Sequence, residues 1–144
     1  MTILKNWPLL IVIIVCAAGL YYTANFFVFW QPMDKCFVNV NDDYLNGNKK
    51  TILKAVRELR QNDPVAYWNV CDYVDTIVED QCPKLEGNNI VDNAANCYVS
   101  GSKTIFIKPE KTDNAAVSDA RKKEIKRLAQ LSRDFWLRAG AATK

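Results

Sequence analysis

The sequence predicts an α+β fold: an N-terminal transmembrane helix, then a small disulfide-stabilised domain with a short antiparallel sheet and a long C-terminal helix. Three observations carry this. Residues 8–30, "PLLIVIIVCAAGLYYTANFFVFW", hold no charged side chain. "CYVSGSKTIFIKP" sets two β-rich runs about a Ser-Gly-Ser turn, the pattern of a hairpin. From Asp113 onward Val117, Ile125, Leu128, Leu131 and Phe135 recur at helical spacing among Lys, Arg and Glu.

The 23 apolar-run residues are long enough to cross a bilayer as a tilted helix at about 1.5 Å per residue. Trp7 stands before the run, and Tyr21, Tyr22, Phe26, Phe27, Phe29 and Trp30 crowd its other end, the aromatic placement of membrane–water boundaries. A cleaved signal peptide is the competing reading. Val15 and Ala17, or Ala17 and Gly19, offer small residues for cleavage, but the apolar run continues past them where such a peptide turns polar. Val15 before Cys16 also makes a poor lipoprotein site. The expected organisation is a cytoplasmic N-terminus over residues 1–7, a signal-anchor over 8–30, a juxtamembrane segment over 31–47 and an extracytoplasmic domain over 48–144.

Flanking charge hardly decides the orientation, since Lys5 stands on one side and Lys35 on the other. The cysteines say more. Cys16 lies in the apolar run, and Cys36, Cys71, Cys82 and Cys97 lie beyond it. An even set in so small a domain suggests two disulfides and an oxidising compartment, which places the domain outside the cytoplasm. A four-thiolate zinc site is the alternative. Its ligands normally pair two to four residues apart, whereas the gaps here are 35, 11 and 15. Cys82 and Cys97 bracket a loop-like stretch around Gly87, Asn88 and Asn89. A bridge between them would stabilise by about 3 kcal/mol through the unfolded state. Cys36 then pairs with Cys71. The other pairing, Cys71–Cys82 with Cys36–Cys97, stays open.

Between these landmarks, "NKKTILKAVRELRQNDP" places Ile52, Leu53, Val56 and Leu59 on one helical stripe. Asn48 is a plausible N-cap, and Asp63-Pro64 ends the helix. Asp63 can cap a second short turn with Pro64 in its first position, presenting Val65, Tyr67 and Trp68 to the core. The acid-rich stretch "VCDYVDTIVEDQCP" raises the question of a metal or acid/base site. Residues 73–78 are β-rich and read as a strand, so Asp72 and Asp75 splay to opposite faces. Glu79 and Asp80 fall in the following turn as solvated acids. Asn39, Asn41 and Asp43 have calcium-loop spacing, but Tyr44 stands where that loop needs glycine.

The terminal helix is expected to end before Gly140. It is basic: from Asp113 there are 8 Lys/Arg against 4 Asp/Glu, while residues 31–112 carry 10 against 12. The apolar stripe argues for packing on the sheet. Arg121, Lys122 and Arg133 remain as a candidate surface for an acidic partner. A nucleic-acid partner conflicts with export.

The order of membrane anchor, "VCDYVDTIVEDQC", "NCYVSGSKTIFIK" and a helix beginning "AAVSDARK" resembles small membrane-anchored bacterial domains of the minimal zinc-metallopeptidase kind. The similarity covers roughly residues 64–122, with Thr104-Ile105-Phe106-Ile107 as the hairpin strand. The resemblance implies a helix bearing His-Glu-x-x-His after that strand. Here Ser118 and Lys122 stand at the histidine positions, and the chain has no histidine. The implied scaffold therefore comes without its zinc ligands.

The lack of histidine also excludes Ser-His-Asp and Cys-His arrangements, and no phosphate-binding glycine loop occurs. No catalytic residue, metal ligand or cofactor is expected. The sequence thus reads as a non-catalytic, single-pass anchored interaction domain, an accessory subunit of a membrane or envelope complex. Its partners would be the lipid bilayer, through residues 8–30, and an unidentified protein. The alternative is a divergent metallopeptidase-like hydrolase.

Overall fold

A computed structural model of the chain describes residues 7–42, 45–83 and 95–142, with side chains left out at 8, 21–28, 30, 32 and 142. Lys5, the calcium-loop positions Asp43 and Tyr44, and the loop residues Gly87, Asn88 and Asn89 lie outside the described residues. So do the side chains of most of the aromatic belt.

Helix α1 runs Trp7–Phe27, and strand β1, Val28–Gln31, follows it without a linker. A 3-10 turn over Pro32–Asp34 leads into β2, Cys36–Asn41. Helices α2 (Lys49–Asn62) and α3 (Pro64–Tyr73) come next, then β3 (Thr76–Glu79), β4 (Cys97–Tyr98), β5 (Thr104–Ile107) and α4 (Ala115–Ala142). The five strands form one sheet in the order β1-β2-β3-β5-β4.

The mixed α+β class, the hairpin and the long terminal helix are present, but the sheet is not simply antiparallel. β1 pairs antiparallel with β2, with Val28 opposite Asn39, and β4 pairs antiparallel with β5. At the centre β2–β3 and β3–β5 are parallel, so Asn39, Thr76 and Thr104 share one row. The physical reason lies in residues 31–47, which supply β2. From the end of β2 the chain crosses back through α2 and α3, so β3 starts at the same edge as β2.

Strand alternation decides which residues reach the core. Cys36, Val38 and Val40 of β2, Ile77 of β3, and Ile105 and Ile107 of β5 are buried in one cluster with Ile52, Val56 and Leu59 of α2 and Ile125 and Leu128 of α4. On the opposite face Asn39, Thr76, Val78, Thr104 and Phe106 are half-buried and Phe37 is exposed. Helix α4 packs chiefly on α2 and α3 and reaches the sheet at β4 and β5. The apolar stripe thus meets helices more than strands. The helix also runs through Gly140 to Ala142 rather than stopping before it.

Helix α3 is longer than the short turn expected. Asp63 is its N-cap, accepting a hydrogen bond from Ala66 N at 3.1 Å, with Pro64 in the first turn. Tyr67 and Val70 are buried, while Val65 and Trp68 face outward. Cys71, Asp72 and Tyr73 finish the helix instead of opening a strand. The capped start and the inward Tyr67 and Val70 outweigh the β-like alternation. Cys36 bonds to Cys71 and Cys82 to Cys97, and Cys16 is a free thiol.

Among the described residues no helix is long and apolar enough to cross a membrane. In α1 the described side chains form an unbroken stretch only from Leu9 to Leu20.

Leu128 is fully buried at the meeting of α4 with the core. Leu128→Ala should lower unfolding free energy by about 2–5 kcal/mol, read as a fall in the urea midpoint with the m-value unchanged.

Candidate functional site

In sheets with parallel strands the carboxyl ends of the strands are the usual place for a ligand. Here β2, β3 and β5 end side by side, and the space between them and the N-terminal ends of α2 and α4 is filled by an ion pair. Glu79, the last residue of β3, is 0% exposed, and Arg121, on the second turn of α4, is 4% exposed. Arg121 Nη2 donates to Glu79 Oε1. Glu79 Oε2 also accepts from Asn48 N at 2.7 Å, and Oε1 from Glu110 N at 3.2 Å. Arg121 donates from Nη1 to the Asn48 carbonyl at 3.1 Å and from Nη2 to the Glu110 carbonyl at 3.0 Å. Together the two side chains satisfy the backbone at the entry to α2 and in the segment leading to α4.

This arrangement corrects two expectations. Glu79 is a buried strand residue rather than a solvated turn acid. Arg121 belongs to the interior and is unavailable to an acidic partner. The alternation of β3 carried the missed signal: in a strand Glu79 shares the inward face of Ile77.

The other expected surface residues are also engaged. Lys122 Nζ lies 3.1 Å from Glu58 Oε2 and 2.7 Å from Asp119 Oδ1. These carboxylates hold its ammonium pKa above the usual value, and Lys122 in turn holds Asp119 below it. Arg133 stands beside Asp134, at 3.3 Å. Ser118, the other position that the metallopeptidase resemblance places as a ligand, is buried on α4.

The acids of the stretch from Asp72 to Glu79 do not converge. Asp72 ends α3, Asp75 precedes β3 and faces Lys103 at 3.9 Å, and Glu79 is bound to Arg121 at the far end of that strand. Among the described residues no three His, Cys, Asp or Glu side chains are grouped to hold a metal ion.

A groove of about 500 Å³ runs between α2 and α4, floored by Leu59 and Ala120 and rimmed by Asp63, Asp119, Lys122 and Lys126. Lys126 pairs with Asp63 across it. That ammonium and the Ala66 amide hold the Asp63 carboxyl below its usual range. Asp63 and Asp119 are paired with Lys126 and Lys122, and Lys123, which also lines the groove, leaves its lining one positive charge in excess.

A second polar cluster holds the opposite edge of the sheet. The Tyr67 hydroxyl donates to Asp34 Oδ2 at 3.0 Å, and Arg60 Nε meets the same oxygen at 2.7 Å. Burial, then the Asp34 carboxylate, pushes the Tyr67 phenol up from 10.0 to about 12.

The chain matches no protein-family model, no curated protein and no solved structure.

Removing one member of the buried pair strands the other. Glu79→Leu or Arg121→Met alone should each cost about 3–5 kcal/mol in denaturant unfolding, while the double variant should lose less than the sum of the two. Additive losses would show that the pair is not coupled.

The neutral Tyr67 phenol is the form favoured by folding. Its contribution is present below the unfolded value of 10.0 and is lost as the pH rises towards about 12. Wild-type stability should therefore fall more steeply across that window than that of Tyr67→Phe, as followed by thermal melts.

Proposed function

We propose that the chain is a non-catalytic, single-pass membrane-anchored interaction domain, with α1 crossing the bilayer, the N-terminus cytoplasmic and the domain from β1 onward, residues 28–144, extracytoplasmic. The observation that carries this reading is the state of α1. Leu9, Leu10, Ile11, Val12, Ile13, Ile14, Val15 and Leu20 are each 49–71% exposed, on all sides of the helix. A helix apolar all round and left in the open needs an apolar solvent. The exposed apolar stretch Leu9–Leu20 covers about 18 Å, and the charge-free sequence on either side of it extends the run towards a hydrocarbon core of about 30 Å. The two disulfides support an oxidising compartment for the domain.

The non-catalytic part rests on residue chemistry. The chain has no histidine, its buried carboxylate is consumed by Arg121, and its remaining acids near β3 do not face one another. An interaction role is supported by exposed apolar side chains outside α1, at Met33, Phe37, Val65, Trp68 and Leu137. An accessory place in an envelope complex is the role these features fit.

Protease added to spheroplasts that express the full chain should digest the domain and leave a membrane-bound fragment containing α1, resistant to alkaline extraction. Full protection of the domain reverses the orientation. Release of the intact chain at high pH overturns the anchor.

A further inference from the structure

We infer that the sheet edge at which β2, β3 and β5 end rests on the bilayer surface, with the opposite edge held away from it. This deepens the proposed function and rests on α1 being the membrane span. The argument is one of covalent connection. Helix α1 ends at Phe27 and β1 begins at Val28, so no flexible linker separates the span from the sheet. β1 is antiparallel to β2, and its first residue, Val28, lies opposite Asn39. The chain therefore enters the sheet from the side towards which β2 runs, and α1 meets the domain at β1 and β2. Since β2, β3 and β5 are parallel, all three end on that side. The N-terminal ends of α2 and α4 lie there too, tied by Glu79 and Arg121 to Asn48 and Glu110.

The surface chemistry of the two edges differs accordingly. The edge beside α1 exposes Asp42, Lys50, Asp80, Lys108, Glu110, Lys111 and Asp113. Acids and ammonium groups are nearly balanced, so the contact is with the polar headgroup zone in general and does not depend on anionic lipid. Of the large apolar side chains exposed outside α1, only Leu45 is on this edge among the described residues. Met33, Phe37, Val65, Trp68 and Leu137, which are 44–88% exposed, all stand at or beyond the other edge. The Cys36–Cys71 bond, the Arg60–Asp34 pair and the Ser132–Tyr73 hydrogen bond place α3, the β1–β2 turn and the end of α4 there. An apolar edge would itself favour lipid, but β1 holds it off. Four strand residues at about 3.3 Å each put the β1–β2 turn some 13 Å from the end of α1.

The test uses the full chain in phosphatidylcholine vesicles. The photoreactive residue p-benzoylphenylalanine replaces Leu45, Lys50 or Lys111 at one edge, and Met33, Trp68 or Lys103 at the other. Irradiation should give lipid adducts at the first three sites, several-fold above those at the second three. Equal yields, adducts only at Met33, Trp68 and Lys103, or adducts at neither edge would overturn the inference. Cys16 separates this failure from failure of the anchor. It sits near the middle of α1, so a membrane-impermeant maleimide should leave it unmodified until detergent is added. Modification without detergent removes the span itself. A protected Cys16 with the wrong adduct pattern removes only the orientation.

Discussion

Glu79 and Arg121 meet where three strands end and two helices begin, and the rest of the domain is arranged around that contact. Strand ends and helix starts both leave backbone groups without partners, and burying them is costly unless something supplies hydrogen bonds. One carboxylate accepts from two amides, and one guanidinium donates to two carbonyls. The charge of each is balanced by the other in a buried place, Glu79 fully covered and Arg121 nearly so. An apolar pair of the same size would fill the space but remove these bonds from Asn48 N, Glu110 N and the Glu110 carbonyl, while the Asn48 carbonyl would keep its bonds from Thr51 N and Oγ1. The pair therefore joins segments that are distant in sequence, Asn48, Glu79, Glu110 and Arg121, into one closed corner.

That closure also fills much of the usual ligand position of a parallel sheet with the protein's own side chains. Among the described residues, a cavity of about 190 Å³ lined by Ile107, Glu110, Val117 and Arg121 remains beside it. The carboxylates that crowd residues 72–80 are separated by a helix end, a bend and a strand, so they serve different neighbours. The opposite edge is held by a disulfide and by the Asp34–Arg60–Tyr67 cluster. With both edges secured, the sheet has one face under three helices and one face half open. Parallel strands are usually covered on both faces, and the open face adds to the surface available for contact.

The relation of α1 to β1 gives the domain its polarity. A helix that leads into an edge strand with no residue between them fixes which end of the sheet lies beside it. The polar edge then lies beside α1 and the apolar side chains lie at the far edge. Under the proposed reading of an anchored interaction domain, this leaves the apolar surface pointing away from the membrane.

Much of this was legible in the residues. The charge-free run, the hairpin about Gly101, the Asp63-Pro64 junction and the stripe of α2 are local signals, set by side-chain period and backbone restriction within a few residues. The loop between Cys82 and Cys97 favoured their pairing, while the other connectivity stayed open until the tertiary structure placed the sulfurs together. What the chain alone did not reveal depends on contacts between remote segments. Residues 71–73 alternate as a strand would, yet a capped helix start and the burial of Tyr67 and Val70 carry the helix through them. β2 was hidden in a segment that looked like a tether, and without it the crossover and the parallel centre could not be seen. Glu79 and Arg121 each look solvated beside charged neighbours. Only the tertiary structure brings them together across 42 residues, because burial of a charge is decided by the partner that balances it and not by the residues next to it in the chain.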